Sequence, residues 1–267
     1  ADSSDAAAMK AAIRPNTRMI MIEAVSNPTL RVADVTGIAE LAAAHGALLV
    51  VDNTFTTPAM FRPMEHGADI VINSITKFLA GHSDVTLGYV AARDPGLRTA
   101  IYDAAVTWGT TPSPFDCWLA ERGLHTFDLR FEKAQATAAA LADALAGRDG
   151  IRQVIYPGRA DHPHHNRAGT LFGGQFGNML SFEIEGGRDE VNSFVMNAGG
   201  IPFAPTLGDV GCTLSHPASS SHRALTTEGR AALGISEGYF RLSVGIEPPE
   251  LVLAELDAAL AAVRGES

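Results

Sequence analysis

ALLVVDNTF (47–55) and ADIVINSITKFLAGHSD (68–84) are the segments of this chain that decide its fold. The first is apolar from Ala47 to Val51, and the second repeats the pattern from Ile70 to Ile72, as strands buried on both faces do. The chain between them is long enough for a right-handed crossover, which predicts two parallel neighbouring strands. Asp52 and Lys77 then emerge at the same carboxyl edge, where open α/β sheets bind ligands.

The order of the other apolar runs predicts two domains. Strand and helix patterns alternate up to about residue 110, which indicates a mainly parallel sheet with helices on its faces. A turn-rich break, GTTPSPFD (109–116), is followed by a long helical stretch over 115–146 that is interrupted near Gly123. Beyond Gly147, short strands are interspersed with helices. We therefore predict a larger domain over residues 1–127 and a smaller α+β domain over residues 128–267.

The composition excludes several classes of protein. Hydrophobic residues at 46% and charged residues at 19% describe a globular chain. The formal net charge of −10 argues against nucleic acid as a partner, because binding phosphates needs a basic surface. There is no apolar run of roughly eighteen residues, so we predict no transmembrane helix and no membrane partner. Cys117 and Cys212 are far apart and in no metal-like spacing, which favours a reduced, cytoplasmic protein.

Three histidines in ADHPHHNRA (160–168) superficially resemble a metal site. The spacing of His162, His164 and His165 matches no standard zinc pattern. We predict a solvated loop here and no metal site in the chain.

Lys77 follows the second apolar run, with two hydroxyl residues just before it. A lysine after a buried strand can simply reach solvent, and for an arbitrary lysine that explanation is the better one. Here Ser74 and Thr76 have the two-residue period that points side chains the same way from an extended segment. Two hydroxyls and nearby backbone amides can hold a phosphate, while a partly desolvated amine reacts with an aldehyde on the same molecule.

Asp52 follows the first apolar run, in an Asp-Asn pair that is common in turns. A turn or cap is one interpretation of Asp52. The other is an ionised carboxylate at the base of a pocket that keeps a pyridine nitrogen protonated, so that the ring withdraws electrons from a carbanion. Thr54, two residues later, is predicted to lie beside such a ring.

Asn27 and Arg241 are candidates for binding a carboxylate. Asn27 lies in SNPT (26–29), directly after an apolar strand, although an Asn-Pro turn is usually structural. Arg241 lies inside the apolar strand YFRLSV (239–244), where a guanidinium must be paired. Its fork geometry fits a carboxylate, so a buried structural acid and a substrate carboxylate remain equal alternatives at this point.

Five segments together carry a resemblance to a known family: IEAVSNPTLRVADV (22–35), AHGALLVVDNTFTTP (44–58), GADIVINSITKFLAGHSD (67–84), LSHPASSSH (214–222) and FRLSVGIE (240–247). In this order they resemble the Cys/Met-metabolism family of pyridoxal-phosphate enzymes over essentially the whole chain. The resemblance implies the aspartate-aminotransferase-like (type I) fold, an α/β fold with a mainly parallel sheet and a smaller C-terminal domain. It also implies pyridoxal 5′-phosphate as cofactor, a small sulfur amino acid as substrate, and a homotetramer made of dimers.

The resemblance also implies roles for individual residues. By position, Lys77 resembles the lysine that forms a Schiff base with the cofactor, and Asp52 resembles the partner of the pyridine nitrogen. Ser74 and Thr76 resemble the phosphate-binding hydroxyls. The residues that resemble the substrate-binding set are Asn27, Arg241 and Thr206, the last at a position where the family generally has serine.

The activity implied by the resemblance is elimination or replacement at the γ-carbon of a sulfur amino acid. Pro205 stands where the cystathionine γ-lyases tend to have an acidic residue, and with Phe203 it makes an apolar wall. We therefore expect γ-elimination of methionine to methanethiol, ammonia and 2-oxobutanoate, the methionine γ-lyase reaction. The alternatives are a γ-replacement enzyme (cystathionine γ-synthase or O-acetylhomoserine sulfhydrylase), a cystathionine γ-lyase, and, from another class, a non-catalytic scaffold.

One departure from the family concerns the start of the chain. Family members have a substantial N-terminal segment with a Gly-Met phosphate loop, a tyrosine that stacks on the cofactor and a Tyr/Arg pair that reaches a neighbouring subunit. This sequence contains none of these. We expect it to be part of a longer polypeptide, and we expect cofactor binding by these residues alone to be weak.

Overall fold

The computed structural model describes residues 1–266. They form ten α-helices and eight strands, and the strands make two four-stranded sheets. The strands are β1 (Met19–Glu23), β2 (Leu48–Asp52), β3 (Ile70–Ser74), β4 (Gly88–Ala92), β5 (Ile151–Ile155), β6 (Met179–Ile184), β7 (Thr213–Ser215) and β8 (Tyr239–Ser243). The α-helices are α1 (Ala6–Ala12), α2 (Val35–Ala44), α3 (Thr57–Met60), α4 (Pro95–Trp108), α5 (Pro114–Leu124), α6 (Phe127–Leu145), α7 (His165–Leu171), α8 (Arg188–Asn197), α9 (Thr227–Ala232) and α10 (Pro249–Arg264). None of the helices in this part of the chain is long and apolar enough to span a membrane.

The first sheet has the strand order β1-β2-β3-β4. The predicted pairing of the two apolar runs is confirmed, because β2 and β3 are parallel neighbours with Asp52 opposite Ile72. β1 is parallel to β2 on its other side, and β4 is antiparallel to β3. The connection from β3 to β4 contains turns and no helix, which suits an antiparallel neighbour because it needs no crossover.

Local signals in the sequence set the ends of the helices. α2 begins after Asp34, whose carboxylate accepts a hydrogen bond from the Gly37 N–H, and it ends just before Gly46 at φ +62°. α1 begins after Asp5, whose carboxylate accepts hydrogen bonds from the Ala7 and Ala8 N–H groups of the first turn. The predicted interruption near Gly123 is the boundary between α5 and α6.

The second sheet is antiparallel, with the order β5-β6-β8-β7. Alternate residues of β6 and β8 supply a dense apolar core beneath α6, α8 and α10, in which the Phe182 and Phe240 rings stack with centroids 5.6 Å apart. The opposite face of the same strands carries Ser181, Tyr239 and Arg241, all of them buried. The sequence did not predict β7, because an apolar pattern of three residues is too short to identify a strand.

The chain divides into two compact units, and each is described by itself. The first consists of Ala1–Ser26, Arg31–Asp128 and Asn166–Gly173. The second consists of Asn27–Leu30, Leu129–His165 and the chain from Gly174 onward. The short segment Asn27–Leu30 therefore belongs to the second unit, although its chain neighbours on both sides belong to the first.

Candidate active site

In the first unit, Asp52 lies at the carboxyl end of β2 and is half-buried. Its Oδ1 accepts a hydrogen bond of 2.8 Å from the Thr54 N–H. The Thr54 hydroxyl oxygen in turn accepts one of 2.9 Å from the Ser74 N–H at the end of β3. Thr54 therefore ties the ends of the two parallel strands together and fixes the backbone that carries the carboxylate.

The Asp52 carboxylate has no ion-pair partner within residues 1–266. Burial and, second, the negative charge of Asp52 raise the pKa of Tyr89, which lies on β4 in register with Asn73. Tyr89 is therefore a neutral phenol at physiological pH. Sequence reasoning missed Tyr89, and the only signal for it was an aromatic residue in a strand next to the lysine segment.

Lys77 lies in a turn that follows β3. The Lys77 N–H donates to the Ser74 carbonyl at 3.2 Å, and the Gly81 N–H donates to the Lys77 carbonyl at 2.8 Å. The predicted extended segment through Thr76 is wrong, because the strand ends at Ser74 and these turn hydrogen bonds replace the ladder. The Thr76 hydroxyl is held at Leu87, where it donates to the carbonyl at 3.1 Å and accepts from the N–H at 2.8 Å.

A cavity of about 1100 Å³ adjoins this edge of the first sheet. Asp52, Ser74 and Tyr89 line it, together with apolar residues of β4 and α4. The structure therefore brings together a carboxylate, a phenol and a hydroxyl beside a large space, with the lysine turn directly following Ser74.

Two buried asparagines, which the sequence analysis did not single out, stabilise this edge of the sheet. Asn73 Nδ2 donates to the Asn53 carbonyl at 2.9 Å, and Asn53 Nδ2 donates to the Phe61 carbonyl at 2.9 Å.

In the second unit, Arg241 lies on β8 with 4% of its surface exposed. Nη1 donates to the Asn27 side-chain oxygen at 2.8 Å, and Nη2 donates to the Thr206 backbone carbonyl at 2.6 Å. Nε is buried and has no hydrogen-bond partner. The structure thus brings Asn27, Thr206 and Arg241 together, with Thr206 contributing its carbonyl.

The charge of Arg241 is not balanced by an acid. Burial lowers its pKa to about 10, so the guanidinium stays protonated at neutral pH. No carboxylate pairs with it in the part of the chain that the structure describes. The first of the two alternatives, a buried structural acid paired with Arg241, is therefore not found among residues 1–266. An unbalanced guanidinium with a free Nε suits an incoming carboxylate.

The histidine segment differs from the predicted solvated loop. His162 is buried, and its Nδ1 accepts from the His164 N–H at 3.2 Å. Burial first, and then the neighbouring His164, lower the pKa of His162 to about 4. The ring is therefore a neutral structural element. No group of three potential metal-binding side chains occurs in residues 1–266.

Residues 1–261 match the family described as Cys/Met metabolism PLP-dependent enzyme. The chain belongs to this family. A cystathionine β-lyase of Bacillus subtilis is 41% identical over 97% of this chain and 66% of its own length. An L-methionine γ-lyase of Pseudomonas putida is 40% identical over 98% of this chain and 66% of its own length. The chain thus spans just under two thirds of the length of these relatives.

The fold predicted from the sequence is confirmed by solved structures. A cystathionine γ-synthase from Xanthomonas oryzae pv. oryzae, in complex with cystathionine, superposes with a TM-score of 0.95 at 43% identity. The alignment covers 100% of this chain and 69% of that one. This chain therefore has the α/β fold of the pyridoxal-phosphate enzymes in this family. The three relatives carry names of different reactions at nearly equal identity, so identity alone does not choose among those reactions.

The donor set of the first unit fits the cofactor that the family name implies. Asp52 offers a negative charge without a cation, which is what a protonated pyridine nitrogen requires. Ser74 lines the adjoining cavity and offers a hydroxyl for a phosphate. Thr76 fits less directly, because its hydroxyl already donates a hydrogen bond to the Leu87 carbonyl. The hydroxyl must rotate away from that carbonyl before it can donate to a phosphate.

Proposed function

We propose that this chain is the core of a pyridoxal-phosphate enzyme that eliminates the γ-substituent of a sulfur amino acid, with L-methionine as the substrate. The observation that carries the proposal is Arg241, a buried, protonated guanidinium that donates to two neutral oxygens and whose Nε lacks a partner. A group with that imbalance is destabilising unless something negative occupies it. The α-carboxylate of an amino acid supplies that charge.

In the proposal, the residues that hold the cofactor are Lys77, Asp52, Thr54, Ser74 and Thr76. When bound, pyridoxal phosphate withdraws electrons from the substrate α-carbon. The Asp52 carboxylate keeps the proton on the ring nitrogen. The hydrogen bond that the Thr54 N–H donates to this carboxylate holds the carboxylate in place. Ser74 and Thr76 anchor the phosphate.

The protein's other tasks are orientation and proton transfer. Arg241 and Asn27 bind the substrate α-carboxylate, and this binding fixes the direction of the bond from Cα to its hydrogen. The Lys77 amine removes that proton from Cα as a general base. Loss of a second proton from Cβ and departure of the thiol then lead, after hydrolysis, to 2-oxobutanoate and ammonia.

Methionine is proposed over larger substrates because of the residues beside Thr206. Phe203 and Pro205 are exposed apolar residues that flank it, and the Thr206 carbonyl is a ligand of Arg241. An apolar wall suits a methyl thioether and offers nothing to the distal ammonium group of cystathionine.

Product analysis with the cofactor-loaded full-length protein tests the reaction. Formation of 2-oxobutanoate and methanethiol from L-methionine alone is the expected result. Turnover that requires an added thiol would instead favour γ-replacement, the second candidate, which the similarity to a cystathionine γ-synthase supports. Faster turnover of cystathionine than of methionine would favour a cystathionine γ-lyase.

A non-catalytic scaffold is the candidate from another class. Retention of Lys77, Asp52 and Arg241 together speaks against it, since a scaffold needs none of them. Pyridoxal phosphate added to the full-length protein should produce a new absorbance band that Lys77→Ala abolishes. Identical spectra for the two proteins would favour the scaffold.

We also propose that the protein assembles as a homotetramer in the cytoplasm. The first unit exposes a group of aromatic side chains on α4 and α5, of which Trp108 is 82% exposed and Phe115 stacks on Trp118 at 5.9 Å. Exposed apolar groups of this kind mark protein interfaces. Light scattering of the purified full-length protein should give four times the mass of one full-length chain, and a monomer would contradict the assembly.

The two cysteines support the proposed compartment. Cys117 and Cys212 are both free thiols, in keeping with a reducing compartment.

A further inference from the structure

The carbonyl oxygen of Pro28 receives two hydroxyl donors from the second sheet. The Tyr239 hydroxyl donates to it at 2.9 Å, and so does the Ser181 hydroxyl at 2.9 Å. Tyr239 is 2% exposed and Ser181 is fully buried. A carbonyl oxygen has two lone pairs, so these two donors saturate it and hold it from two directions.

The two donors and Arg241 come from one face of the sheet. Tyr239 precedes Arg241 by two residues on β8, so both side chains point to the same side. Ser181 on β6 is the cross-strand partner of Arg241. Three neighbouring side chains therefore contact two consecutive residues: Arg241 contacts Asn27, and Tyr239 and Ser181 contact Pro28.

This arrangement links the Tyr239 hydroxyl to the carboxylate-binding group. Asn27 accepts from Nη1 of Arg241 and the Thr206 carbonyl accepts from Nη2, so Asn27 is one of the two groups that set the rotation of the guanidinium plane. The Pro28 carbonyl is the next anchor along the chain. If the Pro28 carbonyl moves, Asn27 moves with it. The guanidinium of Arg241 then rotates, and its Nε points in a different direction.

We propose that Tyr239 is a positioning residue for the substrate carboxylate, acting through the Pro28 carbonyl and Asn27 on Arg241. The inference rests on the proposed function, because it takes the α-carboxylate as the ligand of Arg241. Tyr239 does not touch the substrate in this scheme. Its ring fills volume that phenylalanine would fill equally well, so the specific contribution lies in the hydroxyl.

The test compares Tyr239→Phe with a matched control, Tyr156→Phe, in the cofactor-loaded full-length protein. Tyr156 is also in the second unit, is 3% exposed, and donates to the Gly177 carbonyl at 2.9 Å, so both variants lose the same kind of bond. Tyr239→Phe should raise KM for L-methionine roughly three- to tenfold, the effect of one hydrogen bond, with kcat within about twofold. Tyr156→Phe should leave KM unchanged. Equal KM values for Tyr239→Phe and wild type would overturn the proposal.

A double-mutant cycle separates positioning from simple core packing. Because Tyr239 is proposed to act through Asn27, Tyr239→Phe should have little further effect on KM in an Asn27→Ala background. Full additivity of the two changes would contradict the proposal. Ser181→Ala should raise KM in the same direction as Tyr239→Phe, because it removes the other donor to the same carbonyl.

Two further measurements keep this inference distinct from the proposed function. If Arg241→Lys leaves KM unchanged, the proposed function fails; if Arg241→Lys raises KM and Tyr239→Phe does not, only the positioning role fails. Hydrogen exchange of peptides covering residues 27–33, measured without cofactor or substrate, gives a result that is independent of turnover. Exchange should be faster in Tyr239→Phe than in Tyr156→Phe, and equal exchange in the two variants would contradict the inference.

Discussion

Asp52 and Arg241 are the residues on which the functional interpretation depends, and each carries a charge that its own surroundings leave unbalanced. Asp52 accepts a backbone N–H and has no cation within residues 1–266. Arg241 donates to two neutral oxygens and keeps one buried N–H without an acceptor. A buried, unbalanced charge such as that of Arg241 costs stability, and a ligand with the opposite charge offsets that cost. An amino-acid carboxylate is such a ligand for Arg241, and the cofactor ring nitrogen is the cation proposed for Asp52.

Replacing Asp52 by asparagine tests the first of these charges. Asp52→Asn retains an oxygen for the Thr54 N–H and removes only the negative charge, so the fold should persist. Without that charge the ring nitrogen loses its proton, and kcat should fall roughly a hundredfold or more. Steady-state kinetics and thermal unfolding measure the two effects.

Asp69→Asn is the matched control for Asp52→Asn. Asp69 lies in the same unit and accepts from the Leu49 N–H at 2.8 Å, but it does not line the cavity beside Asp52. Its replacement should leave kcat within about twofold of wild type, the range expected of a change remote from the chemistry. Equal losses in the two variants would contradict the role proposed for Asp52.

His162 predicts how stability depends on pH. Its pKa is lowered to about 4 in the folded chain from an ordinary value of 6.5, because the ring is buried. Below pH 6.5 the unfolded chain therefore binds the proton first, so stability falls as the pH falls from 6.5 towards 4. At pH 5 the loss from this group should be roughly 2 kcal/mol relative to pH 7.

Urea unfolding at pH 7 and pH 5 checks this prediction. His162→Gln cannot take up the proton, so the difference in unfolding free energy between the two pH values should be smaller in that variant. Carboxylates titrate in both proteins and cancel in the comparison. The same pH dependence in both proteins would show that His162 is not the group responsible.

At the scale of elements, α5 packs closely against the turn that follows Lys77. A Cβ atom built on Gly123 would lie 2.4 Å from the Ala80 carbonyl oxygen and 2.7 Å from the Ala80 Cα. Only glycine fits at that contact, because the obstacle is backbone. Gly123, which in the sequence indicated only an interruption of a helix, is thus the residue that lets α5 support the turn from Lys77 to Gly81.

Gly123→Ala should therefore destabilise the protein and disturb the lysine turn. The clash should cost about 1–3 kcal/mol of unfolding free energy, as overpacking does, and pyridoxal phosphate should bind more weakly. Urea unfolding and equilibrium titration with the cofactor measure these effects. Gly169→Ala is the control: Gly169 lies in α7 with no atom within 4 Å of a built Cβ, so alanine should stabilise by about 0.5–1 kcal/mol. Gly123→Ala as stable as wild type would contradict the close contact.

The sequence predicted elements whose signal is local and missed those that depend on distant partners. β2 and β3 were predictable because continuous apolar runs indicate strands buried on both faces. The extended geometry at Thr76 was predicted wrongly, because hydrogen bonds to Leu87, eleven residues away, decide the conformation there. Three-residue β7 depends on pairing with β8, which periodicity does not reveal.

At the scale of the whole molecule, the sequence indicated two parts but not the path of the chain between them. Asn27–Leu30 belongs to the second unit through contacts with residues far along the chain, such as the bond from Arg241 to Asn27 across 214 positions. No local pattern encodes a contact at that separation. The individual residues of the candidate site could be predicted from motifs, whereas their partners, including Tyr89, Tyr239 and Ser181, became visible only in the structure.

Trapping the cofactor on the protein shows directly whether Lys77 is the residue that binds pyridoxal phosphate. The chain contains three lysines, Lys10, Lys77 and Lys133, so two of them are internal controls. The full-length protein is incubated with pyridoxal phosphate, reduced with sodium borohydride, digested and analysed by mass spectrometry. The pyridoxyl-phosphate mass should appear on the peptide containing Lys77, with none above background on the peptides containing Lys10 and Lys133. Equal labelling of all three lysines, or labelling that spares Lys77, would contradict this role of Lys77.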